Sequence, residues 1–159
     1  MSKQRIVKSM TVLLVLVMAV WGTTAAAEQA TKEECVAKAK AAAELFKEIG
    51  REAALKKLNE KESEYVWKDT YVFVSDMKIG TILAHPVNPG LIGKSLAGIK
   101  DVNGKLFFAE CMTTAKNEGE GWISYMWPKP GEKKPSPKNT YVYRVPGDTI
   151  FMGAGVYGN

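Results

Sequence analysis

The chain has 159 residues, with 22 Lys and Arg against 17 Asp and Glu and a formal net charge of +5, a length that suits one core-bearing domain rather than several. Three of those cations, Lys3, Arg5 and Lys8, stand in the first eight residues with no acid beside them, so the chain beyond residue 27 carries a net charge of only +2. Its remaining lysines are interleaved with glutamates rather than gathered into a patch, which removes the main electrostatic argument for nucleic acid binding.

Taken in order, residues 1–27 read as a signal peptide. The cations precede an apolar run from Met10 to Trp21, too short for a comfortable membrane span, and Ala25-Ala26-Ala27 offers the small residues a signal peptidase accepts. Cleavage after Ala27 and export are expected; an uncleaved N-terminal anchor is the alternative. Residues 28–159 then form the mature domain.

From Thr31 to Ile49 the spacing predicts a helix, with Thr31 as cap, Glu33 and Glu34 in the first turn, and Val36, Ala39, Ala43, Phe46 and Ile49 as an apolar stripe. That stripe either packs on its own domain or forms a dimer seam. Gly50 interrupts, and Arg51 to Asn59 predicts a second, shorter helix. After the charged turn Glu60 to Glu64 the period changes to two. Tyr71-Val72-Phe73-Val74 and Thr81 to His85 predict a hairpin around Asp76 to Gly80, and Pro86 ends its second strand. Asn88 to Lys100 is a long connection rich in Gly and Pro, of the kind that covers ligand sites.

Leu106 to Asn117 predicts a third helix carrying Phe107, Phe108 and Cys111, stopped by Gly119 and Gly121. Three strands follow. In the first, Ile123, Tyr125 and Trp127 share one face and Trp122, Ser124 and Met126 the other, with Trp122 assigned to the core. In the second, Asn139, Tyr141 and Tyr143 alternate with Lys138, Thr140, Val142 and Arg144. The lysines between Pro128 and Pro137 belong to a solvated turn. Ile150 to Tyr157, with Gly153 and Gly155, is the last strand. The order predicts an α+β fold, a five-stranded antiparallel sheet with helices largely on one side.

Two cysteines lie in the mature chain. Export to an oxidising compartment favours a Cys35–Cys111 bridge, which would contribute on the order of 4 kcal/mol; two separate buried thiols are the alternative. The single histidine, His85, has no nucleophile motif to serve. No Cys-x-x-Cys appears either, so neither an enzyme, a metal site nor a cofactor is implied.

Several motifs together resemble the single Cache domain, the PAS-like extracellular sensing module of bacteria. They are Tyr71-Val-Phe-Val with Asp76 and Gly80, Leu83-Ala-His-Pro86 with Gly93-Lys94, and Asp101-x-x-Gly104-Lys105-x-Phe107. To these add Gly121-Trp122-x-x-Tyr125-x-Trp127-Pro128-x-Pro130, Lys138-x-x-Tyr141-Val142 and Gly153-x-Gly155-x-Tyr157. The resemblance implies a PAS-like sheet, a long N-terminal helix with shorter helices, and a pocket between the sheet and its covering loops. It also implies a periplasmic sensor of a small organic acid such as acetate, pyruvate or lactate, signalling to a membrane receptor or kinase. Because receptor-borne members continue into a membrane helix, a free-standing form is expected.

On this basis Lys138 is the expected cation for a carboxylate, with Tyr125, Trp127 and Tyr141 as aromatic walls bearing polar tips. Tyr71 and Phe73 would floor the pocket, Phe107 close it, and His85 and the loop Asn88 to Lys94 form its rim. For His85 a structural hydrogen bond comes before ligand contact, and a ligand contact would make binding respond to pH near neutrality. The rival reading is an interaction protein, a homodimer or receptor partner acting through its N-terminal helix without a small ligand.

Overall fold

The computed structural model of the protein describes residues 28–158, so the expected signal peptide lies outside the described residues. Thr31 caps the first helix, α1 (Lys32–Ile49), through a complete capping box: its hydroxyl accepts from the Glu34 N–H at 3.2 Å, and the Glu34 carboxylate accepts from the Thr31 N–H at 2.9 Å. Gly50, at φ 79°, breaks the helix and starts α2 (Arg51–Leu58). The side chains that α1 buries are mostly small, Cys35, Ala39, Ala42 and Ala43, with Leu45 and Phe46 beyond them. They let the helix lie close on the sheet, and Val36, Ala39, Ala43 and Phe46 of the expected stripe pack within their own domain, while Ile49 at the helix end is exposed.

Six strands follow: β1 (Val66–Trp67), β2 (Thr70–Asp76), β3 (Ile82–Ala84), β4 (Glu120–Pro128), β5 (Pro135–Arg144) and β6 (Ile150–Tyr157). They form one antiparallel sheet in the order β1-β2-β6-β5-β4, with β3 on the same edge of β2 as β1. The sixth strand relative to expectation is β1, a two-residue piece with no alternation long enough to register as a strand. The last strand in the chain, β6, lies between β2 and β5, and it places Gly153 opposite Phe73 and Tyr157 opposite Lys138.

The helices divide between the two faces rather than gathering on one. Val72, Val74, Tyr141, Ile150, Met152 and Ala154 meet α1 and α2. On the other face Tyr71, Phe73, Ile123, Tyr125, Val142 and Phe151 meet α3 (Phe107–Asn117) and the loop that holds Leu96. The reason is that both helices are one-sided in sequence, and a sheet apolar on both faces needs a cover on each.

This division corrects two expectations. Cys35 on α1 and Cys111 on α3 are buried in separate clusters on opposite sides of the sheet, and both are free thiols. A bridge needs Cα atoms within about 7 Å, which a sheet interposed between two helices does not allow. Burial pushes both thiols up to about 12, so they behave as small apolar residues. Trp122, expected in the core, is 39 % exposed beside Tyr141, with the Lys32 ammonium 5.4 Å from its ring centroid. Alkylation of the denatured, unreduced protein should label both Cys35 and Cys111; protection of the pair until reductant is added would contradict this arrangement.

One close approach sets the position of the pocket floor. A Cβ at Gly153 would run into the ring of Phe73, which is packed between Phe108 and Phe151 and has nowhere to retreat. Gly153→Ala should therefore destabilise the domain by about 1–3 kcal/mol in urea unfolding, the range for overpacked cores, while Gly98→Ala, with open space at its Cβ, should stay within about 0.5 kcal/mol.

Candidate ligand-binding site

The site is a cross-strand row on the α3 face of the sheet. Tyr125 of β4 pairs with Lys138 of β5, and Lys138 pairs with Tyr157 of β6, so three side chains stand abreast on neighbouring strands. Tyr71 and Phe73 continue the row on β2. The Lys138 stem crosses β6 where Gly155 leaves room, since a Cβ there would come within 2.9 Å of Lys138 Cε and 2.5 Å of Thr140 Oγ1.

Lys138 is 1 % exposed, and its ammonium has no hydrogen-bond partner among the described residues. It lies 4.3 Å from the Tyr71 ring centroid and 4.8 Å from that of Tyr157. Two aromatic faces offset part of the cost of burying the charge, but a fully satisfied ammonium would make several hydrogen bonds.

Beside it lies a narrow cavity of about 10 Å³, room for one water, lined by Tyr71, Phe73, Ile82, His85, Leu96, Phe107, Phe108, Tyr125 and Trp127. Six of the residues expected at the site are among these. Tyr125 stacks on Phe107 at 4.2 Å and shares a 2.9 Å hydrogen bond with Thr140, and burial raises its phenol well above the usual range. Trp127 donates through Nε1 to the Tyr71 hydroxyl at 3.2 Å, which leaves Tyr71's own proton free to be donated.

His85 is 3 % exposed and lies with its ring 4.7 Å from that of Tyr71. Its backbone N–H donates to Asn59 Oδ1 at 2.9 Å, and its Nδ1 accepts from the Asn88 N–H at 3.1 Å. An accepting Nδ1 places the ring proton on Nε2. Burial and then the Lys138 charge push the imidazole down to about 3. It is therefore a neutral donor, and the response to pH near neutrality expected of an ordinary histidine does not arise.

Tyr141 is not part of this group. Three residues from Lys138, it faces the opposite side, where its hydroxyl donates to Glu120 at 2.6 Å and Lys40 pairs with the same carboxylate at 3.0 Å. That network ties α1 to the sheet. The loop motif around Asp101 also turns out to be structural: its carboxylate accepts from the backbone N–H groups of Met126, Asn103 and Lys105, which holds the carboxyl below its usual range and pins the start of α3 to β4.

Sequence reasoning missed Tyr157, Ile82, Leu96 and Phe108. Tyr157 was accessible in principle, as it shares strand parity with Gly153 and Gly155. Leu96 sits in an irregular loop, where no period marks its direction.

A PAS-like sheet with a long helix on one face and a loop-covered aromatic cavity on the other is the architecture of a sensor-type ligand-binding domain. The chain belongs to the single Cache domain 2 family, whose model matches residues 1–159. It is 31 % identical over 117 residues to the methyl-accepting chemotaxis protein McpP of Pseudomonas putida, a match covering 74 % of this chain and 21 % of that protein. The chain thus spans about a fifth of that receptor's length.

Among solved structures, a periplasmic sensor domain of a chemotaxis protein matches with a TM-score of 0.65 and 31 % identity, covering 80 % of this chain and 90 % of its own. A Cache chemosensory domain described for carboxylic acid recognition gives 0.63 and 29 %, covering 80 % and 88 %. A methyl-accepting chemotaxis protein from Vibrio parahaemolyticus gives 0.67 and 25 %, covering 79 % and 87 %. These relatives are chemotaxis proteins or their sensor domains, and no helix of the described residues is long and apolar enough to cross a membrane.

The buried imidazole has a consequence for stability. The native ring stays neutral down to about pH 3 while the unfolded one protonates near 6.5. The unfolded state thus binds more protons in between, and stability falls as pH drops through 6.5, at up to about 1.4 kcal/mol per pH unit. Urea unfolding of His85→Gln should show a shallower loss than wild type between pH 6.5 and 5, above the range where carboxylates titrate. Equal slopes would remove His85 as the cause.

Proposed function

We propose that the domain senses a short organic acid of the acetate, pyruvate or lactate type in the periplasm and passes its occupancy to a membrane receptor or kinase. The observation that carries this reading is the buried, unpartnered Lys138 ammonium. A carboxylate beside it would supply the missing hydrogen bonds, reached on its other side by the Nε2–H of His85 and the hydroxyl proton of Tyr71. The alkyl end would then meet Phe73, Phe107, Ile82 and Leu96.

Selectivity follows from what lines the cavity. It has no acidic side chain, so the ammonium of an amino acid or amine would be desolvated without a partner, beside an existing cation. The carboxylic acid recognition described for a structural relative agrees with the same chemistry. Lys138, Tyr125 and Trp127 serve as binding residues; Tyr141 is assigned to anchoring α1.

Isothermal titration with acetate, propionate, pyruvate, lactate, glycine and ethylamine tests the reading. At least one acid should bind and the amine and glycine should not, and Lys138→Met should weaken acid binding by roughly tenfold or more, the worth of a charged hydrogen bond. The same variant should melt no lower than wild type, because it removes an unpaired buried charge. Undiminished acid binding by Lys138→Met, or no binding of any acid by wild type, would defeat it.

A further inference from the structure

The inner cavity has room for one water, and Tyr71, Phe73, His85 and Phe107, which line it, are each 4 % exposed or less, as is Lys138 against the Tyr71 ring. An acid of four to six heavy atoms needs more space than that, so a wall must yield for it to reach Lys138 from this side. A second cavity of about 150 Å³ lies outside, between Val87 and Asn88 on one side and the hairpin tip Pro128 to Glu132 on the other. The two cavities share Tyr71, His85 and Trp127. Across that shared wall runs the Trp127 Nε1 to Tyr71 hydroxyl hydrogen bond, at 3.2 Å.

The wall residues are held unequally. Phe73 is seated over Gly153, Tyr125 is fixed by Thr140 and Phe107, and His85 is fastened by Asn59 and Asn88. Trp127 is half-buried and stands at the end of β4, where the ladder pairs Met126 with Pro137, Trp127 with Ser136 and Pro128 with Pro135. Three prolines there have no N–H to give, so the tip is weakly laddered. Beyond it the hairpin is held by the Tyr157 hydroxyl on the Pro128 carbonyl at 2.8 Å and by a long Lys129–Asp69 pair at 3.9 Å.

We propose that Trp127 is a gate: with the hairpin tip it swings away from Tyr71, joins the outer cavity to the inner one, admits a small anion to Lys138, and closes behind it. Lys129, which lines the outer cavity, gives the incoming anion its first cation. The gate rests on the anion site proposed above, but it predicts something a simple contact does not. Losing a contact raises the dissociation rate, whereas unlatching a gate also raises the association rate.

The test measures both rates by NMR exchange of 13C-labelled propionate with the full chain. Trp127→Phe, which keeps a ring and loses the donor, and Tyr71→Phe, which loses the acceptor, should each raise the association rate by about fivefold, the equivalent of one neutral hydrogen bond. Faster dissociation with unchanged association in both variants would overturn the gate. A readout without ligand is 19F relaxation dispersion on 5-fluorotryptophan-labelled protein. The Trp127 signal should exchange between two environments, with the minor one enlarged in Tyr71→Phe; no exchange in either protein would overturn the gate even if propionate binds. Exchange at Trp127 with no propionate binding would support the gate and count against the carboxylate reading alone.

Discussion

Burying an ammonium without a hydrogen-bond partner is among the most expensive arrangements a domain of this size can hold, and the α3 face of the sheet is arranged around the one at Lys138. Gly155 exists opposite its stem, so that the side chain can cross β6. Tyr71 and Tyr157 turn their faces toward the charge, the only direct stabilisation that side chains among the described residues give it. The same charge, added to burial, keeps His85 neutral and so leaves a donor rather than a second cation facing the cavity. The His85 Nε2–H and the Tyr71 hydroxyl proton near Lys138 are thus both open to an acceptor.

The other face does mechanical work. Small residues on α1 bring the helix down onto β5 and β6, and the Lys40–Glu120–Tyr141 group fastens it laterally. Asn59, at the end of α2, accepts from the His85 N–H and donates to the Leu83 carbonyl at 3.5 Å. The N-terminal helices therefore have a direct polar connection to a wall of the cavity through Asn59 and His85. In a domain whose relatives belong to chemotaxis receptors, Asn59 is a polar contact between helix and cavity wall.

Much of this was legible because the chain follows simple periods. Thr31 and Glu34 announce the capping box, and strand parity puts Ile123, Tyr125 and Trp127 on one face, where the structure has them. Parity also separates Tyr141 from Lys138, three residues apart. The pairing of the two as site residues came from the family pattern and ran against the alternation, and the alternation prevailed. Trp122 failed for a different reason: size and hydrophobicity suggested burial, but near the start of an edge strand α1 does not cover it fully, and it half-shelters against Tyr141 and Lys32. The cysteine pair could not be judged, because which face a helix covers depends on the chain's crossings rather than on any local signal. The position of Leu96, in an irregular loop, leaves no trace in spacing.

Leaving a lysine unpaired also bears on how such a site binds its ligand. Removing an ammonium from water costs several kcal/mol, and in this fold that cost is met once, when the chain folds, rather than at each binding event. On the proposed reading, an incoming carboxylate would have only its own hydration to lose, and would meet a cation and a neutral imidazole donor whose positions are already set by Gly155, Asn59 and Asn88. An apolar molecule of the same shape loses less hydration but leaves the ammonium where it was, and a cationic one worsens it. On that reading discrimination by charge is inherent in the ligand-free state, while discrimination by size would fall to the aromatic walls that leave so little room in the inner cavity.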